Sequence, residues 1–386
     1  MLILFGNIAK EYRIREEMPA NIIINSGILP KEIEIRIAVS SLPAGKYLRN
    51  MAHAFEQHGY MVKNVTHVAL PGASEAFREY KNNEDHKYIL KDKLVLPSVL
   101  SYKRALLEMV QPGDIVIFYN VNYAQWGLVK KIRRRKGKSL LILADHTPPE
   151  ERRNAVRRWM GKRDEREFEQ FDYAVLLSQE ATKYVRHDCK YEIIEGGLDT
   201  ESFEDIESPR HMDKVVFMYA GTLEPVTGID RLLDAFEKVD EDCRLVITGK
   251  GSLSALVQER AAKDSRIDFR GYVSDTEYYR LLNEADILIN PRNMELPENQ
   301  NNFPSKVLEY LAAGRMTISS KFPGWERFSD NFSFYDNSVK GLSRLMKDVM
   351  ATCMENADWR YDENRKKAEK FDWKKQTERI IKLTKG

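Results

Sequence analysis

Apolar runs of strand length alternate with segments of helical period along most of the chain. IRIAVSS (35–41) leads into a helical stretch ending at His58-Gly59. MVKNVTHV (61–68), a helical SVLSYKRALLEMV and DIVIFYN (114–120) follow. SLLILAD (139–145), YAVLLS (173–178) and YEIIEGG (191–197) complete a first set. After the polar stretch DTESFEDIESPRHMDK comes a second set: VVFMYAG (215–221), RLVITGKG (244–251), IDFRG (267–271), DILINP (286–291), MTISS (316–320) and FSFYD (332–336). Near-continuous apolar strands separated by helices predict parallel sheets covered on both faces. Two such sets, meeting near 198–213, predict an α/β protein of two Rossmann-like domains facing across a cleft. Residues 1–34 and 70–97 fit the alternation poorly. The second of these, containing PGASEAFREYKNNEDHKYILKDK, reads as a charged helical or mobile insertion.

Length agrees with two domains, at roughly 100–200 residues each for a 386-residue chain. Composition is 42% hydrophobic and 31% charged, as in globular proteins. With 61 basic against 59 acidic residues the net charge is +2, which argues against a polyanion-binding tail. No run approaches the ~18 apolar residues of a membrane span. The opening MLILFGNIAKEYRIREE has no leading basic region and reads as a strand rather than an export signal. Cys189, Cys243 and Cys353 are odd in number and far apart, so no disulfide framework is expected and a cytoplasmic setting is.

Chemistry is first narrowed by what is missing. Without H-E-x-x-H or a Cys pair at zinc spacing, no metal site is expected; without G-x-x-x-x-G-K-[ST], neither is a P-loop. Gly249-Lys250-Gly251 supplies only two glycines of a dinucleotide fingerprint and reads rather as a tight strand-to-helix turn. Asp240-Glu241-Asp242 has the spacing of a metal–diphosphate motif, yet it precedes a strand, on the side away from the expected cleft, and reads as a solvated turn.

The segment Asn301 to Gly314, NNFPSKVLEYLAAG, is the most informative. Pro304 suits a first helical turn and Gly314 the position just past the end. Val307, Leu308, Tyr310 and Leu311 form a buried side, leaving Lys306 and Glu309 together on another face. Backbone N–H groups at the helix start, with Lys306 beside them, would make an anion site. Glu309, one turn deeper, can accept hydrogen bonds from the vicinal hydroxyls of a ribose. Diphosphate and ribose together describe a nucleotide-sugar. The competing reading is an ordinary amphipathic helix with an i,i+3 ion pair worth about 0.2–0.5 kcal/mol.

Six blocks stand in order: Ala220-Gly221-Thr222-Leu223, Gly228 to Phe236, Ile247-Thr248-Gly249-Lys250-Gly251, Phe269-Arg270-Gly271-Tyr272-Val273, Ala285 to Pro291, and Pro304 to Gly314. This order and spacing resemble the donor-binding half of family 4 GT-B glycosyltransferases (glycosyl transferases group 1), closely over residues 215–325. Asn-Pro-Arg followed by Phe-Pro-Ser-Lys resembles one subgroup of that family. Gly196-Gly197-Leu198-Asp199 and Phe203 look like its interdomain motif, and Phe371-Asp372-Trp373 with Ile380-Ile381 like its final helix.

The resemblance implies an acceptor-binding domain over 1–200, a nucleotide-sugar-binding domain over 201–365, and a last helix, 366–386, crossing back to the first. It implies a retaining, metal-independent transferase that uses a UDP- or GDP-linked sugar and no cofactor. Gly221 and Thr222 would meet the donor diphosphate, together with Lys250, Pro304, Ser305 and Lys306. Tyr272 and Val273 would hold the base, and Glu309 the ribose. His146, after a first-domain strand, and Lys306 would be catalytic, while Gly45, Asn122 and Tyr123 would lie on the acceptor side.

The sequence departs from the family where Thr222 and Thr227 replace diphosphate-clamping Arg and Lys, and where Asn301 replaces the first acid of E-x7-E. Lys306 and Arg292 would then carry the diphosphate. The same departures motivate a second reading, a degenerate member acting as partner or acceptor-holding scaffold for an active transferase. A sugar-nucleotide epimerase is a third, less favoured by the motif order.

From Lys130 to Arg163, thirteen basic residues face three acidic ones, a net +10 hidden in the near-neutral total. RRNAVRRWMGKR places Val156, Trp159 and Met160 on one helical stripe flanked by Arg152, Arg153, Arg157 and Arg158. It reads as a solvated helix or as an interfacial one on anionic lipid at the inner membrane face. Nucleic acid is not expected, because aromatic residues for base stacking are sparse there. On family analogy the acceptor would be a saccharide or lipid-linked saccharide in polysaccharide assembly.

Overall fold

The structure is a computed structural model describing residues 21–25, 29, 42–68, 77, 82–90, 95–144, 146–209, 214–240, 242–296, 299, 303–356 and 358–385. Its amino-terminal half holds seven strands: β1 (Ile22–Asn25), β2 (Val62–Val68), β3 (His86–Leu90), β4 (Ile115–Tyr119), β5 (Lys138–Leu143), β6 (Tyr173–Leu176) and β7 (Lys190–Ile193). They pair in the order β3-β2-β1-β4-β5-β6-β7, with every neighbour parallel. Between them run α1 (Leu42–Gln57), α2 (Val95–Met109), α3 (Leu128–Arg134) and α4 (Ala155–Phe168).

The carboxy-terminal half holds a second all-parallel sheet, β10-β9-β8-β11-β12-β13. Its strands are β8 (Val215–Ala220), β9 (Cys243–Thr248), β10 (Ile267–Gly271), β11 (Ile287–Asn290), β12 (Met316–Ser320) and β13 (Ser333–Tyr335). Its helices are α5 (Ile229–Phe236), α6 (Ser254–Lys263), α7 (Asp275–Glu284), α8 (Lys306–Ala312), α9 (Val339–Glu355) and α10 (Tyr361–Ala368). The last helix, α11, covers Trp373–Lys385.

Alternation along each strand explains why the runs read as continuously apolar. Ile22 and Ile24 of β1 face α1 and α11, while Ile23 faces the cluster beneath α2 and α3. In β8, Val215, Phe217 and Tyr219 join the core under α5 and α9, and Val216, Met218 and Ala220 join that under α7 and α8. Both faces are thus buried, as a doubly wound parallel sheet requires. Each fully buried Ile, Leu or Val side chain contributes about 1.5–3 kcal/mol of transfer free energy.

Two elements differ from the pattern reading. Strand β1, Ile22–Asn25, lies inside the sheet between β2 and β4 yet inside the segment that fitted poorly, because a run of three isoleucines is too short to show a period. IRIAVSS at 35–41 lies outside the described residues, as do residues 1–20. The expected insertion at 70–97 contains a strand, β3, at the sheet edge. With only β2 beside it and only Tyr88 buried, it tolerates the polar composition that hid it.

The chain crosses between the halves twice at one place. Leu198 bridges Asp372, with Leu198 N–H donating to Phe371 O and Trp373 N–H donating to Leu198 O, both at 3.0 Å. A Cβ on Gly197 would stand 2.6 Å from the Trp373 indole, so only glycine lets that ring close over the connection. From there α11 lays Trp373, Ile380 and Ile381 into the amino-terminal core, against α1.

Candidate active site

The strands of the second sheet end at loops that pack backbone on backbone. Gly221 N–H donates to Thr248 O at 3.1 Å. A Cβ on Gly249, whose φ is +141°, would lie 1.7 Å from Gly221 O, and one on Gly251 would lie 2.3 Å from Leu223 O. The Gly249-Lys250-Gly251 segment is therefore a strand-to-helix turn whose glycines are demanded by close approach. Lys250 is exposed, its ammonium 5.1 Å from the ring centroid of exposed Tyr272. Val273 is half-buried against the core beneath α8.

Thr222 is exposed, and its carbonyl accepts from the Tyr219 hydroxyl at 2.6 Å. The Thr227 hydroxyl lies 2.8 and 2.7 Å from the carbonyls of Thr222 and Glu224, so it is committed to the turn. Gly228 approaches Pro291 so closely that a Cβ would lie 2.0 Å from Pro291 O. That contact brings Arg292 beside this loop. Burial pushes the Tyr219 phenol up to about 12, with the Thr227 hydrogen bond and the Arg292 charge pulling the other way. Asn299, buried, fastens the two loops by donating to Val226 O and Asn293 O, each at 2.7 Å.

Helix α8 begins at Lys306, two residues later than the Pro304 start expected, with Pro304 buried and Ser305 exposed ahead of it. Val307 N–H already donates to Pro304 O at 3.0 Å, and Leu308 N–H to Ser305 O at 3.1 Å. The expected set of free amides is thus partly consumed, and positive charge here resides on side chains. Asn301 lies outside the described residues.

Those side chains converge on one carboxylate. Glu309 Oε2 accepts from Lys306 Nζ at 3.0 Å and from the Tyr278 hydroxyl at 2.7 Å. Oε1 accepts from Lys46 Nζ at 2.8 Å, across the cleft from α1 of the other half. Lys306 also stands 4.4 Å from the Tyr278 ring centroid. Burial alone would raise the Glu309 pKa, but Lys306 and Lys46 outweigh it and hold the carboxyl well below the usual range. Burial lowers the Lys306 pKa, Glu309 opposing and Lys46 adding to the effect. The Lys46 pKa is raised, chiefly by Glu309. Sequence reasoning placed Lys306 and Glu309 on one face but missed Tyr278, which comes from α7, and Lys46. Its only signal for Lys46 was the neighbouring Gly45, buried in α1.

The amino-terminal candidates are arranged differently. His146 is turned inward, its side chain only 5% exposed, with Nε2 2.9 Å from Glu165 Oε1 and the ring edge-on to Tyr184 and Phe168. It fastens the loop after β5 to α4. Asn122 closes a turn, accepting from Ala124 N–H and donating its own N–H to Gln125, both at 2.9 Å. Tyr123 is half-buried against the core of the first sheet.

Just ahead of α4, Arg152 does not join the exposed arginines. It donates to Thr147 O at 3.0 Å, pairs with Asp164 at 3.3 Å and packs under Gly161. Arg153, Arg157 and Arg158 are exposed, as are Val156 (67%) and Trp159 (61%). Asp240 and Asp242 sit at the amino end of β9, paired with Lys347 and Lys214, away from the loops above. Among the described residues no group of three or more His, Cys, Asp or Glu is placed to hold a metal, and no helix is long and apolar enough to cross a membrane. A groove of about 720 Å³ beside α5 and α6 lies at the amino end of β10, and Arg260, Lys263 and Arg266 within it are paired with acidic neighbours.

Residues 214–351 match the family model for glycosyl transferases group 1, which takes in all of this second-half site except Lys46. Solved structures resemble the whole chain. A glycosyltransferase from Rickettsia africae superposes with a TM-score of 0.68 at 14% identity, over 95% of this chain and 98% of its own. Sucrose-phosphate synthase from Thermosynechococcus elongatus also gives 0.68, at 15% identity and the same coverage. Anabaena Alr3699/HepE in complex with UDP gives 0.66 at 13% identity, over 94% and 99%. The fold is GT-B. No curated protein is detectably similar in sequence. In GT-B terms the Glu309 cluster lies where the carboxyl ends of the second sheet's strands meet the first half, the position at which such sheets bind ligands.

Proposed function

We propose that this protein is a glycosyltransferase that moves a sugar from a nucleoside diphosphate to a saccharide or lipid-linked acceptor. The observation that carries the reading is the mostly buried Glu309 carboxylate, held ionised beside two ammonium groups at the strand ends. An ionised carboxylate with two oxygens accepts from a vicinal diol such as a ribose, and adjacent cations suit a diphosphate. The match of residues 214–351 to the group 1 family and the HepE complexes with UDP and UDP-glucose support it.

The reaction proposed is retaining and needs no metal. The acceptor hydroxyl approaches the face that the diphosphate leaves, the anomeric C–O bond to phosphate breaks, and the new glycosidic bond forms on that same face. The acceptor's proton passes to a phosphate oxygen. Lys306 stabilises the negative charge that grows on the leaving group, with Arg292 and Lys250 as neighbouring cations. Residues 1–200 would hold the acceptor, 201–365 the donor, and 366–386 would tie the two. Tyr272 and Val273 would hold a uracil or guanine base. His146, held by Glu165, would contribute by position and electrostatics.

Calorimetry against UDP-, GDP- and ADP-sugars tests the reading. Binding of one donor with slow hydrolysis supports it; no binding to any would favour the second reading, a scaffold for an active transferase, which Thr222 and Thr227 motivate. We also propose that Arg153, Arg157, Arg158, Val156 and Trp159 dock on anionic lipid, each cation adding about 1 kcal/mol near the surface. The charge-reversed Arg153→Glu/Arg157→Glu/Arg158→Glu protein should lose flotation with anionic vesicles; equal binding of wild type to neutral and anionic vesicles would end the idea.

A further inference from the structure

Among the described residues, Lys46 is the one member of the Glu309 cluster that the amino-terminal half supplies. It follows buried Gly45 in α1, is 49% exposed, and reaches across the cleft to a carboxylate that is 13% exposed. Three donors therefore share the two oxygens of Glu309: Lys306 and Tyr278 on Oε2, and Lys46 on Oε1. A diol brings two further donors and no charge. Something must yield, and Lys46 is the most exposed of the three and the only one anchored on the opposite half.

Charge also calls for a cation from that side. The turn that bears Gly221 presents Thr222 and Thr227, neither of which can ionise, and the Thr227 hydroxyl is already held by two carbonyls. Two ammonium groups against one carboxylate leave the cluster with net +1, while a nucleoside diphosphate sugar carries about −2. Releasing Lys46 from Glu309 leaves the cluster at net +1 but turns one ammonium group toward the diphosphate, from the side opposite Arg292 and Lys250.

We propose that Lys46 is a donor-diphosphate ligand that exchanges partners on binding, ceding Glu309 to the ribose hydroxyls and taking the diphosphate instead. This rests on the nucleotide-sugar reading above and extends it, since it makes the site incomplete without the amino-terminal half. The exchange also couples occupancy to closure, because the cation contributed from α1 then bridges to the ligand rather than to α8.

The test compares Lys46→Met and Lys46→Arg with wild type, using UDP, GDP and ADP beside their parent nucleosides. Lys46→Met should weaken the accepted nucleoside diphosphate at least tenfold, leave the nucleoside unchanged or tighter, and flatten the salt dependence of diphosphate binding. Lys46→Arg should restore most of the affinity. If Lys46→Met binds the diphosphate as well as or better than wild type, Lys46 only covers Glu309 and the proposal falls. Equal weakening of nucleoside and diphosphate would mean a collapsed site, and would overturn it too. Wild type that binds none of the six probes removes the nucleotide-sugar reading itself, and this proposal with it.

Discussion

Glu309 shows how one carboxylate can be kept charged while mostly buried: Lys306, Lys46 and the Tyr278 hydroxyl together repay the loss of water. Lys306 is the more sensitive partner, because burial lowers its pKa and nearby Lys46 lowers it further, although Glu309 resists. A lowered lysine pKa means that the positive charge is complete at low pH and is lost sooner as pH rises. Nucleoside diphosphate affinity should accordingly decline on the alkaline side before an ordinary lysine, near 10.4, would deprotonate. Lys306→Arg keeps its charge throughout that range and should shift the decline upward. Calorimetry between pH 7 and about 10 checks this, and coincident profiles for the two proteins would contradict it.

At the scale of elements, α4 and the turn after β9 carry opposite lessons. Asn154 caps α4 by accepting from Arg157 N–H at 2.9 Å, and the next exposed turn carries arginines free of the core. Arg152, just before that cap, is instead a half-buried strut. Arg152→Ala leaves the nearly buried Asp164 short of a partner and should cost about 1–3 kcal/mol in urea unfolding. Reversing Arg153, Arg157 and Arg158 should stay within about 0.5 kcal/mol per site, as surface changes do. After β9, Gly249→Ala forces a Cβ against the Gly221 carbonyl at a φ that side chains rarely adopt. It should reduce donor affinity tenfold or more by displacing the Gly221–Thr222 loop, while far-ultraviolet circular dichroism stays close to wild type.

Across the whole molecule, the two halves are joined by a small structural knot: Leu198, Asp372 and Trp373 over Gly197, with Thr200 Oγ1 donating to Asp372 at 2.5 Å. Helix α11 then contributes Trp373, Thr377, Ile380, Ile381 and Thr384 on one buried stripe at helical spacing. Trp373→Ala should cost about 3–5 kcal/mol, as large aromatic truncations do. Because its ring sits in the amino-terminal core, hydrogen exchange should accelerate in β1, β4 and α1 while β8, β9 and β11 keep their protection. Uniform acceleration in both sheets would show that the halves unfold as one.

The sequence by itself determined the architecture. Among the described residues, eleven of thirteen strands stand where apolar runs predict them, because strands buried on both faces must be apolar at nearly every position. β1 and β3 escaped, one through brevity and the other through its place at an edge. The i,i+3 pairing of Lys306 with Glu309 was legible for the same local reason, helical spacing. Three-dimensional arrangement alone decided the rest: that His146 turns to Glu165, that Arg152 points inward, and that Tyr278 and Lys46 complete the Glu309 cluster. Lys46 and Glu309 are 263 positions apart. No period or local propensity registers such a distance; the approach of α1 from one half to α8 of the other brings those charges together.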